Sequence, residues 1–543
     1  MVEIPKYKIG KVKILDSTLI EGFQTPGVGA LVEGRVEIVK RLRKVYGDDK
    51  AIIEIGMPAN DLDYNIIEKI ISEQKGPQYC FLLRCADLDI ERARKVFKDY
   101  RNNMAHLFIG TSDVHRATRF GGSKDLEGYC ELIKEKVRLI SSDSNVGLVM
   151  FSPEDSLRTF WEIGEDGKKG SVLFKIIEYA LKGYEEGNSR VGREERLVIN
   201  LPDTIGIGLV NENMEMIRAV KNRFGSELEL SVHFHNDSDC ATGETLDAVV
   251  SGLVKYPQVA FAGSGERNGI GKAEPVIVAL NERGIIQMSE EQAKSLTEVS
   301  RDIAHIMGVY LDPRYPVTGI DVNVSTAGIH AQAARLNQST YHFMGERYGN
   351  PVRIVFGTTS GRDSAKDFLE KEGYEFDEEK LKEYTEDMKK YANQVKDYLN
   401  ESEMAVIAER VVNGQKINGI EVMDYDVHAR KGDKEAKVIL VVKKNGNVER
   451  WDGVGIGAVD AVVDAMRKGT GYKTAQLNTF SPIVKGTGSK AELYVISSLD
   501  CNGRKYWGRG VSNNVVLAPV DSVIDAFTNL YFLESMRRKG LNE

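Results

Sequence analysis

Eight short runs rich in apolar and β-branched residues recur through the first half of the chain. Each gives way to polar or Gly residues and then to a stretch with apolar residues at helical spacing. The runs fall at residues 11–16, 51–56, 79–84, 105–111, 146–152, 197–203, 230–235 and 258–262, with amphipathic stretches such as 32–45, 126–141 and 214–223 between them. Eight strand-helix units within roughly 250 residues fit a closed (β/α)8 TIM barrel. An open doubly wound sheet is the alternative, but no Gly-rich dinucleotide-binding turn follows the first run.

In such a barrel the chemistry sits at the C-terminal ends of the strands. Here those ends carry Asp16 and Glu21, Glu54, Arg84, Thr111-Ser112-Asp113, Glu154-Asp155, Asp203-Thr204, His233 and His235, and Gly265-Glu266-Arg267. One of these alone reads as a solvated loop charge. Polar residues at nearly every strand end, converging on one mouth, read as a site.

The most specific stretch is Ser231-Val232-His233-Phe234-His235-Asn236-Asp237. Side chains alternate along a strand, so His233 and His235 share one face while Val232 and Phe234 take the other. Two imidazoles at the polar end of an apolar run can grip one divalent cation. The plainer reading is a pair of solvated or core histidines. A metal needs a third ligand, and Glu21, just past the first strand, is the candidate because strands one and seven can both approach the barrel axis. A surface-loop glutamate is the plainer reading there.

At 543 residues the chain exceeds one ordinary core, so two or three domains are expected. The net charge of -8 and pI near 5.7 speak against nucleic acid or an anionic membrane as main partner. The absence of an apolar leader or of a run long enough to span a bilayer, with five scattered cysteines lacking CxxC spacing, sets a cytoplasmic expectation.

Past the barrel, residues 289–307 read as a helix. Residues 377–399 form a charged helix with a stripe of Leu381, Tyr384, Met388, Tyr391, Val395 and Tyr398. From about Asn418 a pattern occurs twice. Residues 437–443, the turn Asn445-Gly446, Trp451-Asp452-Gly453 and a helix at 458–466 make one copy. Residues 492–498, the turn Cys501-Asn502-Gly503, Trp507-Gly508-Arg509-Gly510 and a helix at 520–530 make the other. The expected domains are a barrel at 1–285, helical linker subdomains at 286–405 and an α+β duplicated module at 406–543. That module has no catalytic cluster, so it reads as binding an effector or as packing alone.

The stretch Leu15-Asp16-Ser17-Thr18-Leu19-Ile20-Glu21-Gly22-Phe23-Gln24-Thr25-Pro26-Gly27-Val28 resembles the first signature of the 2-isopropylmalate synthase, homocitrate synthase and citramalate synthase family, a DRE-TIM metallolyase-like group. The resemblance continues in order through Glu54-Ile55-Gly56-Met57-Pro58, Thr111-Ser112-Asp113-Val114-His115, Phe151-Ser152-Pro153-Glu154-Asp155, Pro202-Asp203-Thr204-Ile205-Gly206, the His233/His235 stretch and Gly263-Ser264-Gly265-Glu266-Arg267-Asn268-Gly269. It extends to Gly328-Ile329-His330 and Gly357-Thr358-Thr359-Ser360-Gly361-Arg362. It implies a Claisen condensation of acetyl-CoA or another acyl-CoA with a 2-oxo acid, then thioester hydrolysis. A divalent ion (Mg, Mn or Zn) is implied at Glu21, His233 and His235, and a proton relay through His330 with Glu154 and Tyr341. Thr204 matches the hydroxyl that binds the oxo-acid carboxylate; Arg84, Asp16 and Gln24 complete the expected substrate contacts. The C-terminal module resembles a leucine-sensing regulatory domain, with Gly455-Ile456-Gly457-Ala458-Val459-Asp460-Ala461 its clearest signature, and the linker resemblance implies a homodimer.

The signature is departed from at two places in one loop. Ile20 stands where the family carries an arginine, and Phe23 where an acid is usual. A guanidinium there stabilises developing oxyanion charge, and loss of one such donor typically costs about 10²–10³ in rate. Glu21 and Ile270 look like homocitrate synthases; Met57-Pro58, Ser360-Gly361-Arg362 and the long C-terminus look like the isopropylmalate branch. The expected activity is therefore 2-isopropylmalate synthase-like. Alternatives are homocitrate or citramalate synthesis, a lyase-type reaction, or a non-catalytic metabolite sensor.

Overall fold

The computed structural model describes residues 4–118, 125–325, 333, 337, 345–395, 397–414, 419–430, 432, 434–485, 488 and 491–540. The chain divides into two compact units, one of Met1–Asn323 with Met344–Pro351, the other of Val324–Phe343 with Val352–Glu543.

In the first unit β1 (Ile14–Asp16), β2 (Ala51–Gly56), β3 (Gln78–Arg84), β4 (Asn103–Gly110), β5 (Leu148–Glu154), β6 (Leu197–Asp203), β7 (Leu228–Phe234) and β8 (Tyr256–Val259) form a closed parallel barrel in sequential order. Helices cover it outside, so strands are buried on both faces and read as continuous apolar runs. The two-residue pleat sorts their side chains. Ile14, Ile53, Tyr79, Phe81 and Ala105 face the helices, while Leu15, Ile52, Cys80, Met104, Met150 and Val198 form a separate apolar cluster inside. One pleat further on, the inward positions turn polar: Glu54, His106, Ser152 and Asn200 follow Ile52, Met104, Met150 and Val198. The barrel interior thus changes from apolar to polar toward the strands' C-terminal ends.

The eighth strand departs from expectation. It begins at Tyr256 and stops at Val259, because Ala262, inside the short 3-10 turn Phe261–Gly263, takes φ of 57° and cannot continue the ladder. The seventh ends at Phe234, so His235 lies one residue past it. It keeps the pleat through an isolated bridge to Ile270 and its N–H donation to the Asp203 carbonyl at 3.2 Å.

In the second unit β9 (Val324–Ser325) and β10 (Arg353–Ile354) pair in parallel. Helices Arg362–Lys371, Glu378–Val395 and Glu401–Val411 follow. The buried stripe of the middle helix is Leu381, Tyr384, Met388 and Ala392; Tyr391, expected in it, is partly exposed instead. Each repeat then has three antiparallel strands, not two: β11 (Ile420–His428), β12 (Ala436–Lys444) and β13 (Asn447–Gly455) with helix Ala458–Thr470, and β14 (Gln476–Lys485), β15 (Glu492–Cys501) and β16 (Arg504–Ser512) with helix Leu517–Gly540. The additional strands, β11 and β14, are edges whose many polar residues hide the strand period. Asn445 and Gly446 both take positive φ, as do Asn502 and Gly503, which matches the twist of a tight hairpin.

The repeats share one contact in detail. Gly453 and Gly455 of β13 lie flat on their helix, as Gly508 and Gly510 of β16 do on theirs; an added Cβ would meet helix backbone at 2.0, 2.4, 2.2 and 1.9 Å respectively. Between each pair, the N–H of Val454 donates to Asp464 and that of Arg509 to Asp525, at 3.0 and 2.9 Å. Beyond this the copies part. Val454 is 41% exposed. The Arg509 side chain, 5% exposed, is held by Glu403 at 3.0 Å and Asp397 at 3.1 Å.

Candidate metal centre

Glu21, His233 and His235 converge at the C-terminal mouth of the barrel, with one ligand atom from each inside a group no more than 4.8 Å across. The Nε2 atoms of the two imidazoles are 3.3 Å apart, and Glu21 Oε1 is 3.7 Å from His233 Nε2. β7 projects His233 inward, the bridge to Ile270 holds His235 beside it, and the loop after β1 brings Glu21 across. Gly265 lets two backbone segments close over Glu21, since a Cβ there would stand 2.9 Å from the Gly269 Cα.

The donor set fits a divalent cation. Glu21 Oε2 and His235 Nδ1 are buried with no hydrogen-bond partner. Burial, then the charges of His233 and Arg267, push His235 down to about 2, so its ring is neutral. Burial raises the Glu21 carboxyl, against the attraction of His233. Neutral imidazoles and an under-satisfied carboxylate are the ligands a Zn- or Mn-type ion takes. His233 Nδ1–H donates to Gln258 Oε1 at 2.8 Å, which leaves Nε2 as the lone-pair nitrogen facing Glu21.

A second polar chain crosses the barrel interior. His106 Nδ1–H donates to Glu54 at 2.8 Å, Ser152 donates to His106 Nε2 at 2.7 Å, and Asn200 donates to Ser152 Oγ at 2.7 Å. Burial alone would raise the Glu54 carboxyl, but the bond and charge of His106 hold it below its ordinary value. Cys80 closes the group at 3.7 Å from Glu54. With its nitrogens and one carboxylate oxygen already engaged, this cluster is a hydrogen-bonded floor to the site.

The remaining expected residues are distributed as follows. Thr204 follows β6 and its Oγ1 accepts the Asp155 N–H at 2.9 Å. Asp155, which burial alone would raise, is drawn down to about 2 by hydrogen bonds from His115, Arg158 and Ser112. Glu154 ends β5, half-buried. Gln24 is exposed on the turn Gly22–Gln24. Asp16 is buried, its carboxylate taken by the Thr18 N–H and the Tyr46 hydroxyl, and burial pushes it up to about 6. Arg84 ends β3 with its guanidinium on Asp89 of the next helix. His330 and Tyr341 lie outside the described residues. Ile20 is 7% exposed, and Phe23 carries the Arg35 guanidinium 4.1 Å above its ring. Sequence reasoning missed Gln258, His106 and Asn200. Their signal was a lone polar residue on an inward position of an otherwise buried strand.

A closed eight-stranded barrel with a carboxylate and two imidazoles at its C-terminal mouth is the frame of a (β/α)8 enzyme with a candidate metal centre. Residues 11–303 match the HMGL-like family, residues 317–396 the homocitrate synthase post-HMGL domain-like family, and residues 398–531 the LeuA allosteric (dimerisation) domain. The chain is 30% identical to the 2-isopropylmalate synthase of Aquifex aeolicus over 95% of both chains. It is 28% identical to that of Pyrococcus abyssi over 94% of this chain and 99% of the relative, and 28% identical to that of Dictyoglomus turgidum over 97% and 99%. The chain belongs to the HMGL-like family, in its 2-isopropylmalate synthase branch.

Proposed function

We propose that the chain condenses acetyl-CoA with a 2-oxo acid, 2-oxoisovalerate in the first instance, to give 2-isopropylmalate and free CoA. The observation that carries this reading is the meeting of Glu21, His233 and His235 at the mouth of a barrel whose relatives are 2-isopropylmalate synthases. A divalent ion (Mg, Mn or Zn) held by these three would supply the Lewis acidity that polarises the acceptor ketone.

The chain's own groups supply the rest. Thr204 Oγ1 accepts a backbone N–H, which leaves its hydroxyl hydrogen free to donate to an incoming carboxylate. The Glu54–His106–Ser152–Asn200 chain fixes the polar floor beneath the acceptor. We assign removal of the acyl α-proton to His330, assisted by Glu154 and Tyr341. The carbanion forms a C–C bond to the ketone carbon, the new hydroxyl takes a proton, and water cleaves the thioester. With Ile20 buried, no cation from that position meets the acyl oxygen.

We further propose residues 1–285 as the catalytic domain, 286–405 as linker and 406–543 as regulatory domain, in a cytoplasmic homodimer with an amino-acid effector at the last. Metal-dependent release of CoA from acetyl-CoA with 2-oxoisovalerate tests the activity. No release across a panel of short 2-oxo acids and acyl-CoAs overturns it and leaves a metal-binding sensor.

A further inference from the structure

The opposite end of the barrel holds an unexplained concentration of positive charge. A cavity of about 370 Å³ opens among the N-terminal ends of the strands, lined by Lys11 and Lys13 before β1, Gln78 at the start of β3, Arg101 before β4, Glu195 before β6 and Lys255 before β8. Four cations thus face one carboxylate. Lys11 and Lys13 stand two residues apart just before β1, and both line the cavity. Lys13 donates to the neutral amide of Gln78 at 2.8 Å. Among the described residues neither Lys11, Lys13 nor Arg101 forms an ion pair; Asp49 acts on Lys13 only at longer range, and Lys255 lies 3.5 Å from Glu229.

This end of a TIM barrel ordinarily serves stability. Like charges gathered in excess work against stability, and burial together with the charge of Lys11 lowers the Lys13 ammonium from its ordinary value, against the opposing charge of Asp49. The cavity falls in the size range of small-molecule sites. Its lining offers flexible ammonium groups and one forked guanidinium, the donors that suit phosphate oxygens.

We propose that this cavity is a second ligand site, remote from the metal ligands, for a small molecule bearing two or more phosphate-type charges. Its occupation is independent of the reaction at the mouth.

The test uses the full chain at constant ionic strength. Titration calorimetry with pyrophosphate and with ADP should show saturable binding, and both should raise the melting temperature where equal ionic strength of chloride does not. Lys13→Ala with Arg101→Ala should weaken binding at least about tenfold, and Lys11→Glu, at an exposed position that the fold does not need, should weaken it too. His235→Ala should leave it unchanged, which separates this site from phosphate contacts at the mouth. Absence of saturable binding, equal binding by Lys11→Glu and the parent, or loss in His235→Ala overturns the proposal. Binding of pyrophosphate without ADP narrows the ligand to compact polyphosphates; binding of both admits a nucleotide.

Discussion

Gln258 of β8 accepts the Nδ1–H of His233 of β7 at 2.8 Å, and this bond decides which ring nitrogen faces Glu21. The amide is itself oriented, since its Nε2 donates to Ser231 Oγ at 3.4 Å. Partners of this kind typically contribute 10–100-fold to metal affinity. Gln258→Leu is therefore expected to weaken divalent-metal binding by about that factor with the fold intact. Metal titration against circular dichroism checks it, and unchanged affinity contradicts the assignment of His233 as a ligand.

Ile20 and Phe23, which the sequence resemblance sets at places of opposite charge, both sit in partly or wholly buried surroundings. Ile20→Arg alone puts a guanidinium at a buried position that packs an apolar side chain, and its expected cost is about 3–5 kcal/mol. Adding Phe23→Glu should recover a large part of that cost, a coupling that denaturant titration of the four-member cycle measures. Additive effects would show that the two positions were exchanged independently.

Asp525 gives the second unit a pH dependence. Burial first, then the neighbouring Glu403, push its carboxyl from 3.8 up to about 7. An acid whose pKa is higher folded than unfolded binds its proton more tightly when folded. Its contribution is fully present below about pH 4 and disappears as pH climbs through about 7. Above that the ionised group costs on the order of 4 kcal/mol. Asp525→Asn should flatten the melting profile between pH 4 and 8 and melt higher than the parent at pH 8. An unaltered slope would assign the dependence elsewhere.

The glycines on the repeat helices make a steric prediction. A Cβ on Gly510 would stand 1.9 Å from the Ala518 carbonyl. Gly510→Ala should destabilise the second unit by about 1–3 kcal/mol or more while metal binding at the barrel mouth persists. Limited proteolysis, with cleavage appearing first beyond residue 418, reads this out.

The barrel was legible because buried parallel strands write themselves as apolar runs, and the imidazole pair because His233-Phe234-His235 alternates across a pleat. Glu21 was legible from its place after the first strand. The supporting residues were not: Gln258 looks like any polar residue in Tyr256-Pro257-Gln258-Val259 until closure of the ring sets it beside His233. Asp16 and Arg84 mark strand ends correctly, but sequence does not reveal that Tyr46 and Asp89 already occupy them. Edge strands β11 and β14 escaped because a strand solvated along most of its length need not alternate.

The duplicated module is one whose halves have ceased to be interchangeable. Arg509 moors the second sheet to helix Glu401–Val411 through Glu403, whereas the same position in the first sheet, Val454, is left to solvent. The second half is fastened to that helix at two points, the Arg509 guanidinium on Glu403 and the Trp507 N–H on Ser402 Oγ at 2.9 Å.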